Sequence, residues 1–121
     1  MSDASQHVNL HDEPGQTADL ASLAGELLAE AGSASSGRAA RTLVAVGGLR
    51  VTLIALAAGT ELSEHENPGA ATVQVLTGAA VLTADGQDTH VGSGCMAQTP
   101  DARHGLRAEQ DTVVLLTVAL T

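Results

Sequence analysis

Two histidines carry most of the chemical interest of this chain. His65 stands in Glu64-His65-Glu66-Asn67-Pro68-Gly69, and His104 follows Pro100 after three residues. Imidazole changes charge near neutral pH without help from its surroundings, so either residue is a candidate general acid or base, or a metal ligand when neutral. Alternation along an extended segment sends Ser63, His65 and Asn67 to one face and Glu64 and Glu66 to the other. Glu61 shares the parity of His65 but lies roughly 13 Å away along a strand, too far to join it unless the chain bends. The other candidates are weaker. His7, His11 and His90 have polar neighbours and read as solvated positions. Cys95 is the single cysteine, so no internal disulfide forms; next to Gly94 inside a predicted strand, it reads as a small buried hydrophobe. No nucleophile motif and no phosphate-binding glycine loop is present.

The elements that position these residues are short. After a polar stretch over residues 1–18, Leu20, Leu23, Ala24, Leu27, Leu28 and Ala31 recur at helical spacing, with Gly32 as a stop. Glu26 and Glu30 fall on the opposite face with no basic partner in the helix, and that face carries no Lys or Arg for a membrane surface. Ser33–Gly37 reads as a connector, which divides the chain into an arm and helix over 1–36 and one barrel domain over 37–121. Beyond it the pattern is strands and turns: Thr42–Val46, Leu49–Ala57, Thr72–Leu76, Ala79–Ala84, Thr89–Val91, Cys95–Gln98 and Thr112–Leu120. Asp85-Gly86 marks a tight hairpin. The last strand and Leu49–Ala57 are apolar on both faces, apart from Arg50 and Thr52. Such strands need a second layer, supplied by the helix or, for most of the area, by a second copy in a homodimer.

Bulk properties narrow the function. A chain of 121 residues makes one domain and buries roughly two-thirds of its unfolded surface. It contains no Phe, Tyr or Trp, so no aromatic platform exists for stacking a base or a sugar. Fourteen acids face five bases, for a net charge of −9. This balance repels phosphate backbones and anionic lipid, which argues against nucleic-acid and membrane partners. Met1–Leu10 has neither a basic region nor an apolar run, and no segment approaches the roughly 20 apolar residues of a transmembrane helix. The expected location is cytoplasmic.

The spacing Gly59-x5-His65-x-Asn67-x3-Ala71-x6-Gly78 resembles the first motif of the cupin superfamily, and Gly94-x5-Pro100-x3-His104 resembles the second. The resemblance covers about residues 40–120 and is closest to small single-domain bacterial members of RmlC-like type. It implies an all-β fold, the cupin double-stranded β-helix or jelly-roll barrel, with one short N-terminal helix outside it. It also implies a homodimer. In metal-binding members three histidines and a glutamate hold Fe, Mn, Ni or Zn. Here the second histidine is Asn67, the glutamate is Ala71, and the second motif is one residue short. Only His65 and His104 remain as metal ligands, with no carboxylate to offset a dication. The reading that follows is a small-molecule-binding cupin with His65, Asn67, His104, Gln98 and Met96 lining the cavity. The alternatives are a metal-dependent dioxygenase or isomerase with a reduced two-histidine site, and a sensor or interaction module.

Overall fold

The structure, a computed structural model, describes residues 14–66, 69–100 and 102–120. Helix α1 spans Leu20–Ser33. It starts there because the Asp19 carboxylate accepts from the backbone N–H of Ser22 at 3.1 Å and from its hydroxyl at 2.9 Å, satisfying the first turn. Nine strands follow: β1 (Arg38–Val46), β2 (Leu49–Leu56), β3 (Glu61–His65), β4 (Ala71–Thr77), β5 (Ala79–Ala84), β6 (Gln87–Gly92), β7 (Met96–Gln98), β8 (His104–Ala108) and β9 (Thr112–Ala119). They form two antiparallel sheets, one of order β1-β2-β9-β4-β7 and one of order β3-β8-β5-β6. The sheets face each other as a jelly-roll sandwich, the all-β architecture the motifs imply. Asp85 (φ 52°) and Gly86 (φ 73°) make the tight turn between β5 and β6.

Two cores hold the molecule together. Between the sheets, Leu56, Val73, Val75 and Val114 pack against Ala80, Leu82, Val91, Leu106 and Ala108. Because aromatic rings are absent, this core is filled by many small branched side chains. The second core lies outside the five-stranded sheet, where Leu23, Ala24, Leu27 and Ala31 of α1 cover Leu43, Leu53, Ala55 and Val113. Leu23 and Leu27 are fully buried there, each contributing about 1.5–3 kcal/mol.

Several expectations change. Strand β1 begins at Arg38 rather than Thr42, and His104–Ala108, which no strong periodicity marks, forms the additional strand β8. Glu26 and Glu30 do have a basic partner, but it comes from the sheet: Arg41 on β1 lies 3.9 Å from Glu26 and 3.2 Å from Glu30. Cys95 is exposed, not buried. It falls in the turn before β7, where its N–H bonds to the carbonyl of Gly92, and this turn carries the thiol outward. Finally, α1 supplies the second layer over Leu53, Ala55 and Val113, while Leu49, farther along the same face, stays 41% exposed.

Candidate functional site

His65 and His104 are brought together by one ladder pair. They are direct partners in the antiparallel register of β3 and β8, their ring centroids 4.7 Å apart and their planes tilted by 55°. Simple alternation does not produce this facing. Along β8, Leu106 and His104 are two residues apart and share a face, and Leu106 lies in the core between the sheets. On β3 their partners are Leu62 and His65, three residues apart, so β3 carries a bulge at Ser63 and Glu64. The bulge puts Leu62 and His65 on the same inward face. It also removes Glu61 from that face, since Glu61 pairs with Arg107.

The bulge has identifiable supports. The Arg103 guanidinium donates to the Glu64 carbonyl at 3.0 Å. A Cβ at position 105 would lie 2.9 Å from the Leu62 carbonyl and 3.1 Å from the Thr83 hydroxyl, so Gly105 is what lets β3 approach there. These two residues are the sequence signal for the bulge, and they are legible only once β8 is recognised as a strand.

Each imidazole is fixed in the same way. Nδ1 of His65 is 3.0 Å from the carbonyl of Ser63, and Nδ1 of His104 is 2.9 Å from the carbonyl of Ala102. A carbonyl oxygen only accepts, so each Nδ1 carries a proton and donates it. Each Nε2 is therefore the lone-pair atom of the neutral ring. His104 is 3% exposed, whereas His65 is exposed. One ring is thus a buried wall and the other borders solvent.

The facing rows of the two sheets can be read from the registers. β3 ends at His65 and β4 starts at Ala71, so the inward row of Ala71, Val118 and Arg50 lies at the same end of the sandwich as His65, His104 and Ala84. Ala71, 4% exposed, shares the inward parity of Val73 and Val75. The motif position that carries a glutamate in metal-binding cupins therefore presents a methyl group to the interior. Arg50 and Thr52, the two breaks in the apolar pattern of β2, occupy the inward rows near this end, and Thr42 pairs with Thr52. In the sequence Arg50 stands out as an exception to the apolar pattern of its strand and, with Arg38 and Arg41, as part of the one positive stretch.

The other proposed lining residues lie elsewhere. Met96 and Gln98 pair with Gln74 and Thr72, whereas the intervening pair, Val73 and Ala97, faces the core between the sheets. Met96 and Gln98 therefore stand on the outer face of the five-stranded sheet, with Met96 65% exposed. The short β7 gave the sequence too few residues to fix its parity. Asn67 lies outside the described residues.

The donor set can be tested against the metal expected of such a fold. Two Nε2 atoms are present, position 71 offers no oxygen, and no group of three His, Cys, Asp or Glu residues able to hold an ion occurs among the described residues. These residues do not fit a firmly held resident metal, because a dication in a partly buried site needs more donors and anionic compensation.

No family model matches the sequence, and no curated protein matches it. Solved structures do. A conserved protein of unknown function from Streptococcus pyogenes superimposes with a TM-score of 0.67 at 31% identity, over 73% of this chain and 78% of that one. An RmlC-like cupin from Desulfovibrio desulfuricans gives 0.63 at 26% identity, over 68% and 81%. The salicylate 1,2-dioxygenase of Pseudoaminobacter salicylatoxidans gives 0.70 at 22% identity, over 81% of this chain but 32% of the enzyme, a likeness of fold alone. A two-sheet jelly roll with a histidine pair at one end defines the class: the chain belongs to the cupin superfamily. Among the described residues no helix is long and apolar enough to cross a membrane.

Proposed function

We propose that this cupin binds a small polar molecule at the end of the sandwich marked by His65 and His104. The observation that carries the reading is the matched pair of hydrogen bonds from Nδ1 to backbone, which leaves two adjacent Nε2 acceptors fixed in place. Two pre-oriented acceptors suit a ligand with a hydroxyl or amine donor, because ordering them costs little on binding. Arg50 in the inward row makes no ion pair among the described residues and suits an acidic group on the same ligand. Asn67, two residues after His65, belongs to this reading as a further lining residue. Thermal-shift scans over a metabolite library test it. Compounds that stabilise the wild type and fail with His104→Ala support the site; a library silent on both removes it.

A second reading is a metal-assisted enzyme of dioxygenase or isomerase type. It is favoured by the same Nδ1 bonds, since metal-ligating histidines almost always donate their other N–H to a carbonyl or carboxylate. Elemental analysis of untagged protein decides. Near-stoichiometric metal that disappears in His65→Ala/His104→Ala would favour it, and metal below about a tenth of an equivalent would end it, since an enzyme that depends on the ion must carry it.

Assembly as a homodimer is part of the same proposal. Its support is the half of the outer sheet face that α1 leaves uncovered, where Leu49 and Met96 are exposed and Val51 is half-buried.

A further inference from the structure

A cleft of about 370 Å³ opens at the other end of β2, between the edge strands β1 and β3. Its lining is Ser36, Arg38, Ala39, Ala40, Ile54 and Leu62. Arg38 pairs with Leu56 in the β1–β2 ladder and Arg50 with Ala45, so six residues of β2 separate the two cations, roughly 20 Å along the strand. Leu62, the inward neighbour of His65 on β3, closes the near side of the cleft, and Arg38 stands at its far end, away from the imidazoles.

Three features give it a chemical character. The floor is apolar and accessible to solvent: Ile54 and Leu62 abut the buried core yet remain half-exposed, and Ala40 is exposed beside them. The space would hold about a dozen waters at roughly 30 Å³ each, which corresponds to a ligand of about that many heavy atoms. At the rim stands Arg38, exposed and without an ion pair among the described residues, in a chain with fourteen acids and a net charge of −9. The carboxylates of Glu26 and Glu30 are directed instead to Arg41, and that of Asp88 to Arg107. An unneutralised guanidinium beside an exposed apolar floor is complementary to a molecule with one anionic head and an apolar body. The fork of N–H donors matches a carboxylate in particular.

The geometry points to a second binding site in this cleft, for a small monocarboxylate with an apolar chain. The head pairs with Arg38 and the chain lies over Ala40, Ile54 and Leu62. The inference rests on Arg38 and the apolar floor, and not on the proposed role of the histidine pair.

Octanoate and its uncharged counterpart octanol are the probes, measured by calorimetry on the full chain. Octanoate binds the wild type more tightly than octanol does. Arg38→Gln weakens octanoate about tenfold, the loss of one charge-assisted contact, and leaves octanol within about twofold. Arg38→Lys recovers part of the difference, and His65→Ala/His104→Ala leaves octanoate binding intact. No binding of octanoate to the wild type overturns the inference. So does an equal loss of both probes in Arg38→Gln, which would mean a disturbed groove rather than a recognised charge. Octanoate lost in the histidine variant but kept in Arg38→Gln also overturns it, while supporting the histidine site. Sedimentation under the same conditions covers the remaining occupant: if Arg38→Gln dissociates a dimer that excludes octanoate, a second copy of the chain fills the cleft and the inference fails.

Discussion

His65 and His104 sit ring against ring at 4.7 Å without a hydrogen bond between them, because each has turned its Nδ1 to the carbonyl two residues earlier in its own segment. Neither ring orients the other; the backbone orients both. The pair is thus set by strand geometry before any ligand arrives, and substitutions around it have separable outcomes.

Restoring a carboxylate at position 71 should convert the pair into a firmer metal site. Ala71→Glu places an anionic oxygen donor on the inward row at the histidine end, where the wild type has a methyl. Affinity for Ni or Zn should rise about tenfold or more over the wild type. Calorimetry reads the change, and the gain should vanish when His104→Ala is added. A variant that folds but gains no affinity would show that position 71 does not face the imidazoles.

Cys95 should react in the native state. Its thiol is exposed in the turn before β7. A thiol-specific reagent should label folded protein at a rate close to that of denatured protein, since access and not unfolding limits the reaction. Labelling that proceeds only upon unfolding would return the residue to the core.

Gly78→Ala should destabilise the fold by about 2 kcal/mol or more. Gly78 has φ +94°, and an added Cβ would meet the Asp111 carbonyl, the Thr112 hydroxyl and the Thr112 Cα. That hydroxyl is already committed in the same corner, accepting from the N–H of Ala79 at 3.2 Å. Urea unfolding measures the loss; a midpoint unchanged from the wild type would mean the corner relaxes freely.

Acid should loosen α1 through its cap. The Ser22 backbone N–H, and then its hydroxyl, hold the Asp19 carboxyl below its usual value of 3.8. A depressed folded value means that the stabilisation is present above 3.8 and is lost as pH falls through the lower folded value. Helicity followed by circular dichroism on acidification should decline less steeply through this window in Asp19→Asn, whose amide caps without titrating. Superimposable acid profiles would assign the loss to other carboxylates.

Arg41→Ala should weaken the attachment of α1 to the sheet. Arg41 bridges to Glu30 at 3.2 Å and to Glu26 at 3.9 Å, with its own side chain 19% exposed. A double-mutant cycle with Glu30→Ala should give a coupling of about 0.5–1 kcal/mol that shrinks with added salt. Zero coupling at low salt would make the pair incidental.

The sequence by itself determined the helix, most strands, the Asp85-Gly86 turn and the two motifs that identify the superfamily. Those features are local, set by periodicity, capping and turn conformation, and a short window of residues contains all the information they need. It also supplied the two histidines and the loss of the glutamate at Ala71, because residue identity at a spaced position is visible without coordinates.

Only the tertiary structure decided which way the side chains face. Leu62 and His65 share a face because β3 bulges against Gly105 and Arg103, residues some 40 positions later. Met96 and Gln98 point outward because β7 inherits its parity from β4. Arg41 finds Glu26 and Glu30, and Arg38 is left beside a cleft, through the course of β1 past α1. Facing in a sheet depends on register with a partner distant in sequence, and a single extra residue reverses it; no local pattern carries that information.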